Sequence, residues 1–163
     1  MPAGLTQSSS LVSIGFSVAE SAANTFTQGS VDLNLSPLDR EVFVVLAVNI
    51  DPESPDMLDG INTFVNTSLT TTSQTAVQSL ANANCLARAT TAIRAAGFVD
   101  GGVGFNTQAL ETPPATLEYI GIIATNDFFI QAEGENNTTS KGVSGKLYGY
   151  RAVASGDIYA ALV

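Results

Sequence analysis

The chain has 163 residues and a formal net charge of −9, from 6 Lys and Arg against 15 Asp and Glu. This length fits one domain whose core is large enough to fold without disulfides or a metal, and the single Cys85 can form no intrachain disulfide. The absence of His and Trp excludes Ser-His-Asp and Cys-His nucleophiles, His-ligated zinc and imidazole acid–base catalysis. So few cations, none of them within residues 1–39, weigh against nucleic-acid binding, which depends on Lys and Arg meeting phosphates.

Charged residues make up only 13% of the chain, while Ser (15), Thr (17) and Asn (11) together are twice as numerous. The expected surface is therefore neutral and polar. No apolar run reaches the length a spanning helix needs, and the first residues lack the basic start of a secretory signal. Both point to a soluble chain outside the signal-peptide export route.

In chain order, Leu11–Val18 alternates apolar and small residues with a period of two, the pattern of a half-buried strand. Phe26–Leu35 alternates again, with Val31, Leu33 and Leu35 on one face. Ser36-Pro37-Leu38-Asp39 supplies turn chemistry. Val42–Ile50 is a continuous β-branched and aromatic run, the composition of a strand covered on both faces, so it belongs in the middle of a sheet. Pro52 and Pro55 end it in a loop, since proline has no ladder donor. Phe64–Leu69 is a short strand with a hydroxylated face.

From Gln74 to Ala96 the apolar positions recur at three- and four-residue spacing, Ala is dense and Gly97 follows. That pattern predicts a helix with Thr72 or Ser73 as N-cap; a pair of strands is the competing reading. Glycines at Gly97–Gly104 and Pro113-Pro114 mark connections. Thr116–Ala124, Phe128–Glu133, Ser144–Ala154 and Ile158–Val163 are strands, separated by Asn126-Asp127, the polar stretch Gly134–Gly142 and Ser155-Gly156-Asp157. The sum is an all-β, antiparallel β-sandwich of the jelly-roll kind, one domain over 1–163, with one helical insertion near residues 74–96.

Three features invite a chemical reading. Asp51, Glu53, Asp56 and Asp59 lie within nine residues at a strand end, and converging carboxylates are what Ca²⁺ requires; a solvated, proline-stiffened acidic loop is the competing view. Lys146, Tyr148 and Tyr150 share one face of an alternating strand and form a candidate partner contact, although Tyr is equally a good sheet residue. Cys85 has no His to activate it and reads as a small core residue. Carboxylate-only glycosidase chemistry needs two acids in an aromatic-lined cleft, and aromatics are 7% of this chain. The expectation is no enzyme, no catalytic residue and no cofactor, with Ca²⁺ the one ion to consider.

Val31-Asp32-Leu33-Asn34-Leu35-Ser36-Pro37-Leu38-Asp39-Arg40-Glu41-Val42-Phe43-Val44-Val45 and Asn126-Asp127-Phe128-Phe129-Ile130, set in a chain of low charge rich in Ser, Thr, Asn, Ala and Gly, resemble small virion coat or decoration proteins of the single jelly-roll kind. The likeness is one of type and transfers no site residues. It implies a capsid or outer-shell subunit in the virion that contacts copies of itself and other virion proteins. With no basic arm, such a subunit would not touch the genome directly; it would adjoin another protein or an internal membrane without inserting. The alternative is an extracellular β-sandwich binding or adhesion module that depends on calcium.

Overall fold

The computed structural model describes residues 3–97, 103–108 and 118–162. Its elements are β1 (Leu5–Gln7), β2 (Val12–Ala19), β3 (Thr27–Asp32), β4 (Glu41–Pro52), β5 (Thr63–Thr70), β6 (Cys85–Arg94), β7 (Val103–Gln108), β8 (Gly121–Ile123), β9 (Asp127–Glu135), β10 (Gly142–Ala154) and α1 (Gly156–Leu162). Every strand pair is antiparallel. One sheet runs β2-β10-β4-β8, with β1 continuing the β2 edge along the far end of β10; the other runs β3-β9-β5-β6-β7.

With β1 and β7 set aside as extensions, eight strands remain, and their pairing is nested: first with eighth (β2·β10), second with seventh (β3·β9), third with sixth (β4·β8) and fourth with fifth (β5·β6). Such nesting is one long hairpin rolled into two facing sheets, the jelly roll. The expected all-β sandwich is therefore present, and Val42–Ile50 does lie inside a sheet, between β10 and β8.

The core lies between the sheets. Phe16, Phe43, Val45, Val48, Ile50 and Leu147 come from the first sheet, and Leu69, Ala87, Ala89, Phe128, Ile130 and Ala132 from the second. Phe16 and Phe128 meet edge to face, with centroids 5.9 Å apart and planes at 83°. β4 holds its inward pattern across a register shift opposite Tyr148/Gly149, where Ala47 and Val45 face successive β10 residues and Leu46 is the extra one. Before this bulge Phe43 and Val45 point inward; after it Val48 and Ile50 do. A side chain at Gly145 or Gly149 of β10 would collide with the rings of Phe16 or Phe43 and with β4 carbonyls. Those two glycines are what let the rings lie flat against the strand.

A second apolar cluster lies on the outer side of the first sheet: Leu5, Val42, Val44, Tyr150, Ala152 and Ala154, with Tyr159 of α1 packed on it. Both faces of this end of β4 are thus covered, as its continuous apolar run implies.

Three expectations are corrected. Residues 74–96 are not a helix: the segment before Cys85 is an irregular covering loop, and Cys85–Arg94 is strand β6. The buried positions Cys85, Ala87 and Ala89 follow a period of two, a spacing that a helix would place on opposite faces, and small inward residues suit a strand facing Leu69 and the rings of the core. Ile158–Val163 is not a strand: Gly156–Leu162 is α1, which opens with the Tyr159 N–H donating to the Ser155 carbonyl at 2.9 Å and has Asp157 in its first turn. Pro52 does not end its strand early. It is the buried last residue of β4 opposite Val143, where β8 no longer pairs on the other side, so no ladder donor is lost.

Candidate functional site

The four carboxylates expected to hold a cation do not converge. Asp51 is exposed on the outer face opposite Ser144. Glu53 accepts the Gly142 N–H at 2.8 Å. Asp59 is exposed in the turn that Leu58 and Ile61 close, with Gly60 at φ +72°. Among the described residues, no group of three or more Cys, Asp or Glu is placed to hold a metal ion.

Asp56 has a different task. Its carboxylate accepts the N–H groups of Thr138 and Thr139, each at 2.9 Å, the hydroxyls of both, and the Lys141 ammonium at 2.8 Å. The ammonium beside it, followed by the threonine donors, holds the Asp56 carboxyl well below the usual carboxylate range against an opposing desolvation. Nearby, buried Glu20 accepts the N–H groups of Thr25 (2.9 Å), Gly134 (2.9 Å) and Lys141 (2.8 Å). Buried Asn137 accepts the Asp56 N–H through Oδ1, donates through Nδ2 to the Phe64 carbonyl, and is clasped by Asn24. Three acids and two amides therefore tie the β2–β3, β4–β5 and β9–β10 loops together at one end of the sandwich. Of these, only Asp56 and Glu53 stand out in the sequence. Glu20 and Asn137 sit far from their partners along the chain, and no local spacing marks them.

Lys146, Tyr148 and Tyr150 do share the outer face of β10, as their alternation implies. The structure separates their environments: Lys146 is exposed, Tyr148 is half-buried, and Tyr150 is buried in the outer apolar cluster. Burial, reinforced by the charge of Glu118, pushes the Tyr150 phenol up. Tyr150 is thus removed from the expected contact face, since it is part of the cluster that Leu5, Val42, Val44, Ala152 and Ala154 form. Cys85 is buried and its thiol donates to the Ala87 carbonyl at 3.3 Å; burial pushes its pKa up, which keeps it a thiol.

On the outer face of the second sheet lies a polar network that no sequence pattern announces. Gln28, Gln131, Ser68 and Arg88 stand in one row across β3, β9, β5 and β6. Gln131 is fully buried. It accepts from the Ser68 hydroxyl at 2.7 Å and donates to Thr70 (2.7 Å) and Gln28 (2.9 Å). The covering loop completes the set: the Gln74 N–H donates to Gln28 and the Gln78 N–H to Ser68, while Arg88 donates to the Gln78 carbonyl.

Among the clefts that the described residues line, two bear on a chemical reading. One of about 280 Å³ is lined by Ser17, Asp51, Glu53 and Ser144 at the β2–β10 edge. Another of about 410 Å³ lies beside β8, lined by Leu86, Ile120, Ile122 and Leu162 together with Thr71, Asn84 and Thr125. The first offers two carboxylates without a cationic or aromatic counterpart; the second mixes apolar side chains with threonine and asparagine and contains no titratable group.

No family model matches the chain, and no curated protein matches it. Among solved structures, a chain of Desmodium yellow mottle tymovirus is similar to it, at 16% identity over 96% of each chain and a TM-score of 0.31. At that score the likeness carries no argument, and the jelly-roll assignment rests on the strand pairing alone.

Proposed function

We propose that this chain is a structural subunit of a viral capsid or outer shell, working through contacts with copies of itself and making or breaking no covalent bond. The observation that carries this reading is where its exposed apolar side chains fall. Leu11 (61% exposed), Leu38 (96%), Met57 (56%) and Leu80 (50%) stand on four different connections around a rigid jelly roll. Among the described residues, no buried side-chain polar atom lacks a partner. A frame that is saturated internally and apolar at several separate places suits a subunit that must meet several neighbours. Calcium-dependent adhesion has no ligand set to rest on among the described residues.

We further propose that the genome is not bound directly, a reading that four of the six cations support, Arg40 and Lys146 being the exposed remainder. Lys141 is paired with Asp56 and Arg151 with Glu41, Arg88 is bonded to the covering loop, and Arg94 lies 5.2 Å over the Phe64 ring. Other virion proteins or an internal membrane would then separate this subunit from the nucleic acid.

Negative-stain imaging and sedimentation of concentrated protein test the first claim: symmetric oligomers or shells are expected, and Leu38→Asp should weaken them. A strict monomer at every concentration would overturn it. Cosedimentation with DNA at low salt would contradict the second claim.

A further inference from the structure

We infer that the open edge of β2 is a two-fold contact that joins the first sheets of two copies into one continuous sheet. This inference deepens the shell reading and rests on it. Among the described residues β2 is the longest of the edge strands, 8 residues against 6 for β3 and β7 and 3 for β1 and β8. It pairs, among the described residues, with β10 on one side only. Natural sheets protect such an edge with charge, proline, a bulge or brevity. Val12–Ala19 has no charged residue and no proline, and its register with β10 is unbroken.

The ladder geometry shows which groups are free to pair. The Glu20 N–H donates to the Lys141 carbonyl, one step beyond the Ala19↔Gly142 pair. Antiparallel bonding alternates along the strand, so Val12, Ile14, Phe16 and Val18 exchange hydrogen bonds with β10. Ser13, Gly15 and Ser17 direct their N–H and C=O groups to the open side, and all three are exposed.

The sequence of the strand selects the occupant. Val12-Ser13-Ile14-Gly15-Phe16-Ser17-Val18 reads almost the same in both directions about Gly15. An antiparallel second copy, centred on Gly15, sets Ser13 against Ser17, Gly15 against Gly15 and Ser17 against Ser13, so each facing pair has outward donors and acceptors. A register slipped by one residue, which puts the centre between two residues, would pair outward groups with inward ones, and among the registers that keep outward groups facing it is the near-palindrome that selects Gly15 as the centre. On the core side the same alignment sets Val12 against Val18 and Ile14 against Phe16, covering Val12, Ile14 and Val18, which are half-buried in the isolated chain. Self-complementarity about a point is what an isologous two-fold interface requires, and strand addition at an open edge is a recurrent mode of association. Gly15 leaves the axis clear: a Cβ built there meets nothing within 4 Å.

The test uses full-length protein. Facing Cα atoms in such a pair lie about 5.5 Å apart, inside the roughly 4.4–6.8 Å that a disulfide spans. Gly15→Cys, with Cys85 buried, should oxidise to a covalent dimer of the 16.8 kDa chain, whereas Ser13→Cys, which faces Ser17, should not. Gly15→Lys sets two ammonium groups directly opposite and should weaken the two-fold contact by about tenfold or more, with an unchanged melting temperature reporting an intact fold. If the wild-type chain assembles while Gly15→Cys fails to cross-link, or cross-links no better than Ser13→Cys, the β2 contact is wrong and the shell reading stands. Wild-type assembly by Gly15→Lys would likewise sink the β2 contact and leave the shell reading in place. A monomer at all concentrations would overturn both.

Discussion

The loop end and the outer face of the second sheet solve one problem with different chemistry. At the loop end, irregular backbone is held by ionised acceptors, with Glu20, Glu53 and Asp56 collecting N–H groups from Thr25, Gly134, Thr138, Thr139, Lys141 and Gly142. On the sheet face the covering loop is held by neutral groups, the amides of Gln28 and Gln131 and the hydroxyls of Ser68 and Thr70. Carboxylates only accept, so they serve a turn whose orphaned groups are donors; an amide gives and takes at once, so it can link a strand, its neighbour and a loop. The two networks should therefore respond differently to truncation and to acid.

The largest effect is expected on the neutral side. Gln131→Ala strands Ser68, Thr70 and Gln28 in a buried row and should destabilise the fold by about 3 kcal/mol, read from the denaturant midpoint at neutral pH. Asp56→Ala at the loop end should cost less, about 2 kcal/mol, because its site is partly open to water and its threonine donors can turn to solvent. Sensitivity to acid should separate the two variants. Asp56 is held below its ordinary value of 3.8 in the fold, so its contribution is complete above about pH 4 and is lost as pH falls further. Melting temperature should fall more steeply below pH 4 in the wild type than in Asp56→Asn, while Gln131→Ala should keep the wild-type slope; equal slopes in all three would remove the distinction. The smallest effect is expected for Gln78→Ala, which keeps the backbone N–H on Ser68 and loses only the side-chain bonds to Asn82 and to the Ala76 carbonyl, for about 0.5 kcal/mol in the same denaturant assay.

Much of the strand inventory is legible in the sequence because alternation is a local property: Leu11–Val18, Val42–Ile50 and Ser144–Ala154 each lie within an observed strand apart from the first residue, Leu11. The Ala-rich segment is not, since alanine fits either period and the choice falls to Leu69 and the aromatic core across the sandwich. The acidic cluster is visible as a composition, but its role depends on Thr138, Thr139 and Lys141, more than 80 positions away in sequence. Alternation puts Tyr150 on the correct face yet says nothing of its burial, which depends on β1, β4 and β10 assembling the outer apolar cluster around it.

Sequence alone determined the class of the fold, the small number of cations and the missing imidazole, since these follow from composition and from the two-residue period of a pleated strand. Tertiary structure decided which polar residues are buried, which carboxylates bind loop donors rather than a cation, and which strand is left with an open edge. The reason is that hydrogen-bond partners and sheet neighbours are set by the nested pairing of distant segments, a relation no short stretch of residues contains.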